Sequence, residues 1–241
     1  MDLSEKTKKE LVIVLPSLDP DKKFSAVVDG LVEAGFENIV IVDDGSCDEK
    51  QHFFSEAEKY PQTKVLHHGI NKGKGRALKD AFAYVLNELP AAKGVITIDG
   101  DGQHTIPDII ACGEKMLELG DTVVLGSRDF ADPAVPERNG SGNNFTAKMF
   151  GLFFGIQIRD TQTGLRSIPR KYLPLFCAIE GERFEYETNM LLIMKKNGIA
   201  FYEQPISTVY DPEDYSSHYN ALKDSWRIAK IMIKYLTGKR T

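Results

Sequence analysis

The sequence predicts an α/β protein with a twisted, mostly parallel sheet flanked by helices, and three observations carry this prediction. Short apolar, β-branched runs alternate with amphipathic stretches, which is the pattern of parallel crossover units. Acidic turns follow two of these runs, where the carboxyl ends of parallel strands form a binding edge. The 241 residues, 42% hydrophobic and 27% charged, suffice for one well-buried domain. Together they indicate a Rossmann-like core.

The first half of the chain carries the regular alternation. Five runs rich in branched apolar residues are predicted strands: Leu11–Leu15, Ile39–Val42, Lys64–Leu66, Val95–Ile98 and Thr122–Leu125. Four amphipathic stretches between them are predicted helices: Phe24–Ala34, Glu49–Lys59, Arg76–Leu89 and Pro107–Leu119. Because strand and helix alternate, we expect parallel strands whose carboxyl ends share one edge of the sheet.

Beyond about residue 127 the pattern becomes irregular, starting with a stretch rich in Gly, Asn and Ser over residues 139–144. The predicted elements in this part are helix Phe145–Phe154, a short strand near Leu165–Ile168, a helix near Glu185–Asn197, short strands Ala200–Glu203 and Ile206–Tyr210, and a closing helix Tyr219–Leu236. No linker or internal repeat separates the two parts, so we expect a single domain over residues 1–241 with mixed strand pairing in its second half.

Charge and composition disfavour several classes of protein. The formal net charge is −5, yet residues 223–241 alone carry +5, so the body is acidic and argues against nucleic-acid binding. The longest apolar run, residues 149–156, is too short to span a bilayer, and residues 1–10 lack the features of a signal peptide. The three widely spaced cysteines fit a reducing cytoplasm, where we expect the protein.

An acidic turn follows the predicted strand Val95–Ile98. Alternation along the strand would point Asp99 and Asp101 to the same side, and Gln103 adds an amide oxygen. Such hard oxygen ligands suit Mg²⁺ or Mn²⁺ held together with a diphosphate. An ordinary turn after a strand is the alternative interpretation.

Two further segments are typical of nucleotide binding. Asp43 and Asp44 follow the strand Ile39–Val42, where their carboxylates can accept hydrogen bonds from a ribose or a base, although Asp-Gly-Ser is also ordinary turn chemistry. The glycine-rich basic segment Asn71–Arg76, which contains Lys74, opens a predicted helix and suits an anion at the helix amino terminus.

These segments resemble glycosyltransferase family 2, whose fold is of the GT-A type. The order of motifs in the second half is similar to that of dolichyl- and polyprenyl-phosphate sugar synthases: Gly126-Ser127-Arg128, Asp160–Arg166, Arg183–Glu187, Glu203–Ile206 and Ser217–Tyr219. The resemblance spans nearly the whole chain, from about Leu11 to Leu236. It implies a nucleotide-binding half at about 11–127, an acceptor half at about 128–218 and an amphipathic helix at about 219–237.

The resemblance implies a metal-dependent inverting glycosyltransferase that moves a sugar from a nucleotide-diphosphate sugar to a polyprenyl phosphate at the cytoplasmic membrane face. Alternatives are a soluble family 2 enzyme acting on a glycan or protein hydroxyl, and a non-catalytic nucleotide-binding, membrane-docking module. Implied nucleotide-binding residues are Pro16, Asp19, Asp43, Asp44, Lys74, Asp99 and Gly100. Implied ligands of Mg²⁺ or Mn²⁺ are Asp99, Asp101 and Gln103.

On the acceptor side, the resemblance assigns Arg128 and Arg138 to the acceptor phosphate, for which a planar guanidinium is a suitable bidentate partner. Asp160 and Glu187 are the candidate catalytic carboxylates, although Asp160 has the alternative role of orienting Arg166 or the loop Thr161-Gln162-Thr163. His104 and His218 are candidate phosphate contacts, whereas the pair His67-His68 is interpreted as structural.

Two features leave questions open. The family usually has Pro, two residues and Asn-Glu after the first strand, but this chain has Pro20 at the glutamate position, so the donor base stays open between UDP and GDP. The closing helix has a basic face and a neighbouring apolar stripe that includes Trp226. Such a helix can lie in an anionic membrane interface, or it can pack on the core. A separate membrane-protein partner is also possible.

Overall fold

The structure is a computed structural model that describes residues 2–129 and 147–207, and one seven-stranded sheet runs through both ranges. The strands are β1 (Leu11–Ser17), β2 (Ile39–Asp43), β3 (Thr63–His67), β4 (Gly94–Thr97), β5 (Val123–Arg128), β6 (Arg166–Pro169) and β7 (Phe201–Ile206). Their order is β3-β2-β1-β4-β6-β5-β7. Only β6 runs antiparallel to its neighbours. The predicted mostly parallel sheet with mixed pairing in the second half is confirmed.

Helices cover both faces of the sheet. They are α1 (Leu3–Glu10), α2 (Lys22–Glu33), α3 (Gln51–Ala57), α4 (Lys74–Glu88), α5 (Ile106–Leu119), α6 (residues 147–154), α7 (Leu173–Ala178) and α8 (Glu185–Lys196). Along β1, Val12 and Val14 join one buried apolar cluster, while Ile13 and Leu15 join the other. Strands buried on both faces read as continuous apolar runs, which explains the pattern of the first half.

Three elements differ from the sequence prediction. The expected pair of short strands begins instead as one strand, β7, which contains Pro205. Proline is tolerated there because β7 lies at the edge of the sheet and, among the strands of the described residues, pairs with β5 alone. Neither α1 nor α7 was predicted; α1 is polar and buries only Thr7, so it lacks the apolar stripe of a typical surface helix.

No helix within residues 2–129 and 147–207 is both long enough and apolar enough to cross a membrane. The three cysteines are free thiols, as the sequence predicted. The predicted closing helix, His218 and Arg138 lie outside the described residues, as does the end of the predicted strand Ile206–Tyr210.

Candidate active site

A cluster of three charged side chains lies beyond the carboxyl end of β4. Lys74 Nζ, in the first turn of α4, is 2.7 Å from Asp99 Oδ1 and 3.2 Å from Glu187 Oε2 in the first turn of α8. One ammonium therefore joins two candidate residues from different halves of the chain. Burial alone would lower the pKa of Lys74, but the neighbouring carboxylates of Asp99 and Glu187 outweigh it and raise that pKa. In turn Lys74, together with His104, holds the pKa of Asp99 well below its usual value.

The turn after Asp99 has the composition of a site for a hard cation. Crowding by protein atoms and the charge of Asp99 raise the pKa of Asp101, although the residue itself is exposed. Asp99, Asp101 and Glu187 leave a formal charge of −2 after Lys74 is counted. Both ring nitrogens of His104 are buried and lack a hydrogen-bond partner in the described part of the chain, and Nε2 lies 3.8 Å from Asp99 Oδ2.

These observations fit a divalent cation, because the oxygen donors are of the right type and the negative charge is only partly neutralised. Among the described residues, no three His, Cys, Asp or Glu side chains converge as a ready metal site. The reason lies in the local geometry: β4 ends at Thr97, so strand alternation does not govern Asp99 and Asp101, and the ammonium of Lys74 lies against Asp99.

A glycine beyond this turn is required by close packing. A Cβ added to Gly164 would lie 2.2 Å from Asp99 Oδ2, and the hydroxyl of Thr97 donates to the Gly164 carbonyl at 2.7 Å. In contrast, a Cβ added to Gly100 would have Phe24 Cδ2 at 3.4 Å as its nearest neighbour, so this site has room for it. The close approach to Asp99 thus comes from Gly164 and not from the glycine beside it.

The carboxylate of Asp44 is buried and organises the basic loop. Its Oδ1 accepts hydrogen bonds from the Lys72 amide at 2.9 Å and contacts His68 Nδ1 at 2.8 Å, while Oδ2 accepts from the Gly73 amide at 2.7 Å. The sequence predicted that this loop holds an anion, and in the structure the anion held by these two amides is Asp44 itself. Lys74 therefore follows directly after a loop segment whose backbone is held in place by the Asp44 carboxylate.

Asp43 has a similar bracing role in the preceding turn. It is buried and contacts the Ser46 amide at 2.8 Å, Gln51 Nε2 at 2.9 Å and His67 Nδ1 at 3.0 Å. Burial raises the pKa of this carboxyl, but these three contacts outweigh it and hold the pKa below its usual value. His67, which was interpreted as structural together with His68, thus contacts an acid that the sequence assigned to the nucleotide.

The loop after β1 is tied to the same turn. Asp19 has a φ of 48°, its amide donates to Ser46 Oγ at 2.8 Å, and its Oδ1 accepts from the Cys47 amide at 2.9 Å. Asp21 caps α2 by accepting from the Lys23 amide. Pro16 lies within β1, in register with Val42. The carboxylates of Asp19 and Asp21 thus both accept hydrogen bonds from the protein's own backbone.

Arg128 and Asp160 form a bidentate ion pair at the end of β5. Arg128 Nε lies 2.7 Å from Asp160 Oδ2 and Arg128 Nη2 lies 3.1 Å from Oδ1, and the Asp160 side chain is fully buried. The Gln162 amide also donates to Asp160 Oδ1, at 3.0 Å. Glu203 on β7 accepts from the amides of Arg159 and Asp160. The predicted acceptor arginine is therefore held in one orientation by the predicted catalytic aspartate.

Arg166 is not the partner of Asp160, which corrects one alternative interpretation of that aspartate. Its guanidinium is buried and donates to the carbonyls of Thr163 at 3.1 Å and Glu187 at 3.0 Å. It thus joins the loop containing Gly164 to the start of α8.

The two halves meet at a network that sequence reasoning missed. Glu182 accepts from Arg76 Nε at 2.6 Å and Nη2 at 2.8 Å, and from Lys79 Nζ at 3.1 Å. A Cβ added to Gly73 would lie 2.4 Å from the Glu182 carbonyl, and Gly73 has a φ of 103°. Arg76 and Glu182 are 106 residues apart, so no local pattern announced their pairing.

Comparisons with known proteins identify the family. The glycosyl transferase family 2 model matches residues 22–176. A UDP-N-acetylglucosamine–dolichyl-phosphate N-acetylglucosaminyltransferase of Methanococcus voltae is 29% identical, covering 84% of this chain and 86% of that protein. A dolichyl-phosphate beta-glucosyltransferase of Saccharomyces cerevisiae is 26% identical, covering 83% of this chain and 65% of that protein. The predicted resemblance to this branch of the family is confirmed.

Solved structures support the fold. Glucosyl-3-phosphoglycerate synthase from Mycobacterium tuberculosis, solved with Mn²⁺, UDP and glucosyl-3-phosphoglycerate, superimposes with a TM-score of 0.70 at 16% identity, over 99% of this chain and 84% of that one. This likeness confirms the predicted GT-A fold. Together with the family match, it identifies the chain as a glycosyltransferase that belongs to family 2.

Proposed function

We propose that this chain is a metal-dependent, inverting glycosyltransferase that moves a sugar from a nucleotide-diphosphate sugar to a polyprenyl phosphate. The observation that carries the proposal is the convergence of Asp99, Lys74 and Glu187 beyond the end of β4. Carboxylates and an ammonium at one sheet edge are the groups that a diphosphate with its counter-ion requires. The relatives named above act on dolichyl phosphate, which supports a lipid phosphate as acceptor.

On the donor side, Asp99, Asp101 and Gln103 would hold Mg²⁺ or Mn²⁺. The cation, when bound, neutralises the charge that develops on the departing nucleoside diphosphate. Lys74 contributes a second positive charge to the same group, and its contact with Glu187 keeps it at the site. The loops that contact the nucleotide are shaped by Asp19, Asp43 and Asp44, together with Pro16. Gly100 lies in the turn that faces the nucleotide.

On the acceptor side, Arg128 binds the phosphate and Asp160 acts as its positioning residue. A buried carboxylate with both oxygens bonded to Arg128 is poorly placed to contact an acceptor, but it fixes the guanidinium plane. A phosphate oxygen is already ionised near neutral pH, so positioning replaces a strong general base. Glu187 holds Lys74 against the donor site, and Arg138 supplies a second arginine for the phosphate.

The lipid acceptor requires an approach from the membrane surface, and we propose that the protein is peripheral at the cytoplasmic face. The basic, Trp-containing helix at about 219–237 is the proposed contact with anionic lipid. Sedimentation with anionic liposomes, before and after removal of residues 219–241, tests this role. We expect the shortened chain to lose liposome binding. Unchanged binding would contradict the proposed role of this helix and would favour another surface, or a membrane-protein partner, as the contact with the membrane.

A transfer assay tests the proposed reaction. Purified protein is incubated with labelled nucleotide sugars on UDP and GDP, with Mn²⁺, and with either undecaprenyl phosphate or soluble sugars. We expect label in the lipid fraction with one donor, and its loss when a chelator is added. Label only in soluble glycans would favour the alternative family 2 enzyme. An absence of transfer with every donor, in protein that still binds nucleotide, would favour the non-catalytic module.

A further inference from the structure

Lys74 occupies the position of a cation at the proposed metal site. Its ammonium contacts Asp99 at 2.7 Å and Glu187 at 3.2 Å, and its side chain is only 17% exposed. The neighbouring His104 lies 3.8 Å from the other oxygen of Asp99. Lys74 is therefore the closest positive charge to a carboxylate that is also a proposed metal ligand.

An ammonium and a divalent cation that share Asp99 repel each other, because two positive charges then lie within a few ångströms in a partly buried site. Lys74 has a second partner, Glu187, whose side chain is 13% exposed and whose Oε2 lies 3.2 Å from the ammonium. A lysine side chain is flexible enough to leave one carboxylate and keep the other. The loop beneath it stays fixed by the bonds of Asp44 to the amides of Lys72 and Gly73.

We propose that Lys74 is an exchangeable counter-ion, which neutralises Asp99 in the metal-free protein and moves from Asp99 to Glu187 when a divalent cation binds. The inference rests on the proposed function, since it takes the metal site from there. On Glu187 the ammonium remains beside the site and is available to the donor diphosphate. Glu187 is then the positioning residue that holds Lys74 in its second place.

The competing interpretation is a fixed structural ion pair, in which Lys74 stays on Asp99 and affects a bound cation only through its charge. The two interpretations differ in how Lys74 and Glu187 act together. If Lys74 exchanges, the effect of Glu187 on cation affinity depends on the presence of Lys74. If Lys74 is fixed, the two side chains contribute independently.

The test measures Mn²⁺ binding to the full chain without donor or acceptor. The electron paramagnetic resonance signal of free Mn²⁺ reports how much of the ion is bound. Lys74→Met is expected to bind Mn²⁺ on the order of tenfold more tightly than the wild type, because the competing ammonium is gone. Lys74→Arg keeps the charge and should bind no more tightly than the wild type. Lys72→Met, which removes an exposed lysine from the same loop, should change the affinity by less than about twofold. Circular dichroism verifies that each variant is folded.

A double-mutant cycle with Glu187→Gln separates exchange from a fixed pair. In the wild-type background this substitution removes the second partner of Lys74, so Mn²⁺ affinity should fall on the order of tenfold. In the Lys74→Met background the same substitution should change the affinity by less than about threefold. Equal factors in the two backgrounds, or a Lys74→Met variant no tighter than the wild type, would overturn the exchange. If the wild type binds no Mn²⁺ and also transfers sugar in the presence of a chelator, the metal assignment of the proposed function fails as well, which distinguishes the two failures.

Discussion

Removing one partner of the ion pair between Arg128 and Asp160 should lower the free energy of unfolding markedly. The Asp160 side chain is fully buried, Arg128 is 19% exposed, and two short hydrogen bonds join them. Asp160→Asn replaces one oxygen by an amide donor that faces the guanidinium and removes the buried negative charge that lies 2.7 Å from Arg128 Nε. Removing one partner of a buried pair costs about 3–5 kcal/mol, and the partial exposure of Arg128 lowers this to about 2–4 kcal/mol.

The assay is urea unfolding followed by circular dichroism for Asp160→Asn, Arg128→Met and the double variant. Arg128→Met leaves a buried carboxylate without its cation and should cost about 3 kcal/mol or more. The double variant should be more stable than the sum of the two losses predicts, by about 2 kcal/mol, because each single substitution already breaks the same ion pair. Arg159→Met, which removes a side chain that is 71% exposed, is the control and should cost less than about 1 kcal/mol. Losses that add within about 0.5 kcal/mol would refute the reasoning, since uncoupled residues do not hold one another.

Three further predictions follow from single side chains. Gly164→Ala should lower turnover on the order of a hundredfold, because the added Cβ displaces Asp99. Gly69→Ala is the control and should leave turnover unchanged, because no atom lies within 4 Å of its added Cβ. Equal effects of the two substitutions on turnover would contradict the packing argument. The pKa of Asp43 is lower in the folded chain than in the unfolded chain, so its ionised carboxylate stabilises the fold above about pH 4. This stabilisation is lost as the pH falls through the lower, folded-state pKa. The unfolding free energy of Asp43→Asn should therefore drop less between pH 7 and pH 3 than that of the wild type. Crowding by protein atoms and the charge of Asp99 raise the pKa of Asp101, so the ionised form of Asp101 disfavours the fold at neutral pH. Asp101→Asn should therefore abolish Mn²⁺-dependent turnover without lowering the Tm of the metal-free protein. A lower Tm for this variant would contradict the prediction.

The parts of the fold with a strong local pattern were predictable from the sequence. β1, β2 and β4 are buried on both faces and read as continuous apolar runs, and α5 (Ile106–Leu119) lies within one residue of the amphipathic stretch predicted as Pro107–Leu119. α1 was missed because eight mostly polar residues carry no apolar stripe, and β7 was divided at Pro205, which its edge position tolerates.

The candidate site was predictable in its residues but not in its pairings. Asp99 and Lys74 were identified from local turn and loop chemistry, and the structure brings both together with Glu187. Their partnership depends on the packing of α4 against α8, which no local pattern contains. The same holds for Glu203, which braces Asp160 from a strand 43 residues away.

The central claim is that the acceptor is a phosphate oxygen on a polyprenyl chain. The most direct measurement compares a polyprenyl phosphate with the polyprenol of the same length, under the donor conditions that support transfer. We expect labelled sugar on the polyprenyl phosphate alone, with transfer strongly reduced in Arg128→Met because the guanidinium that binds the phosphate is gone. Equal transfer to the alcohol would contradict the account, because an acceptor hydroxyl needs a general base that the buried, paired Asp160 does not provide.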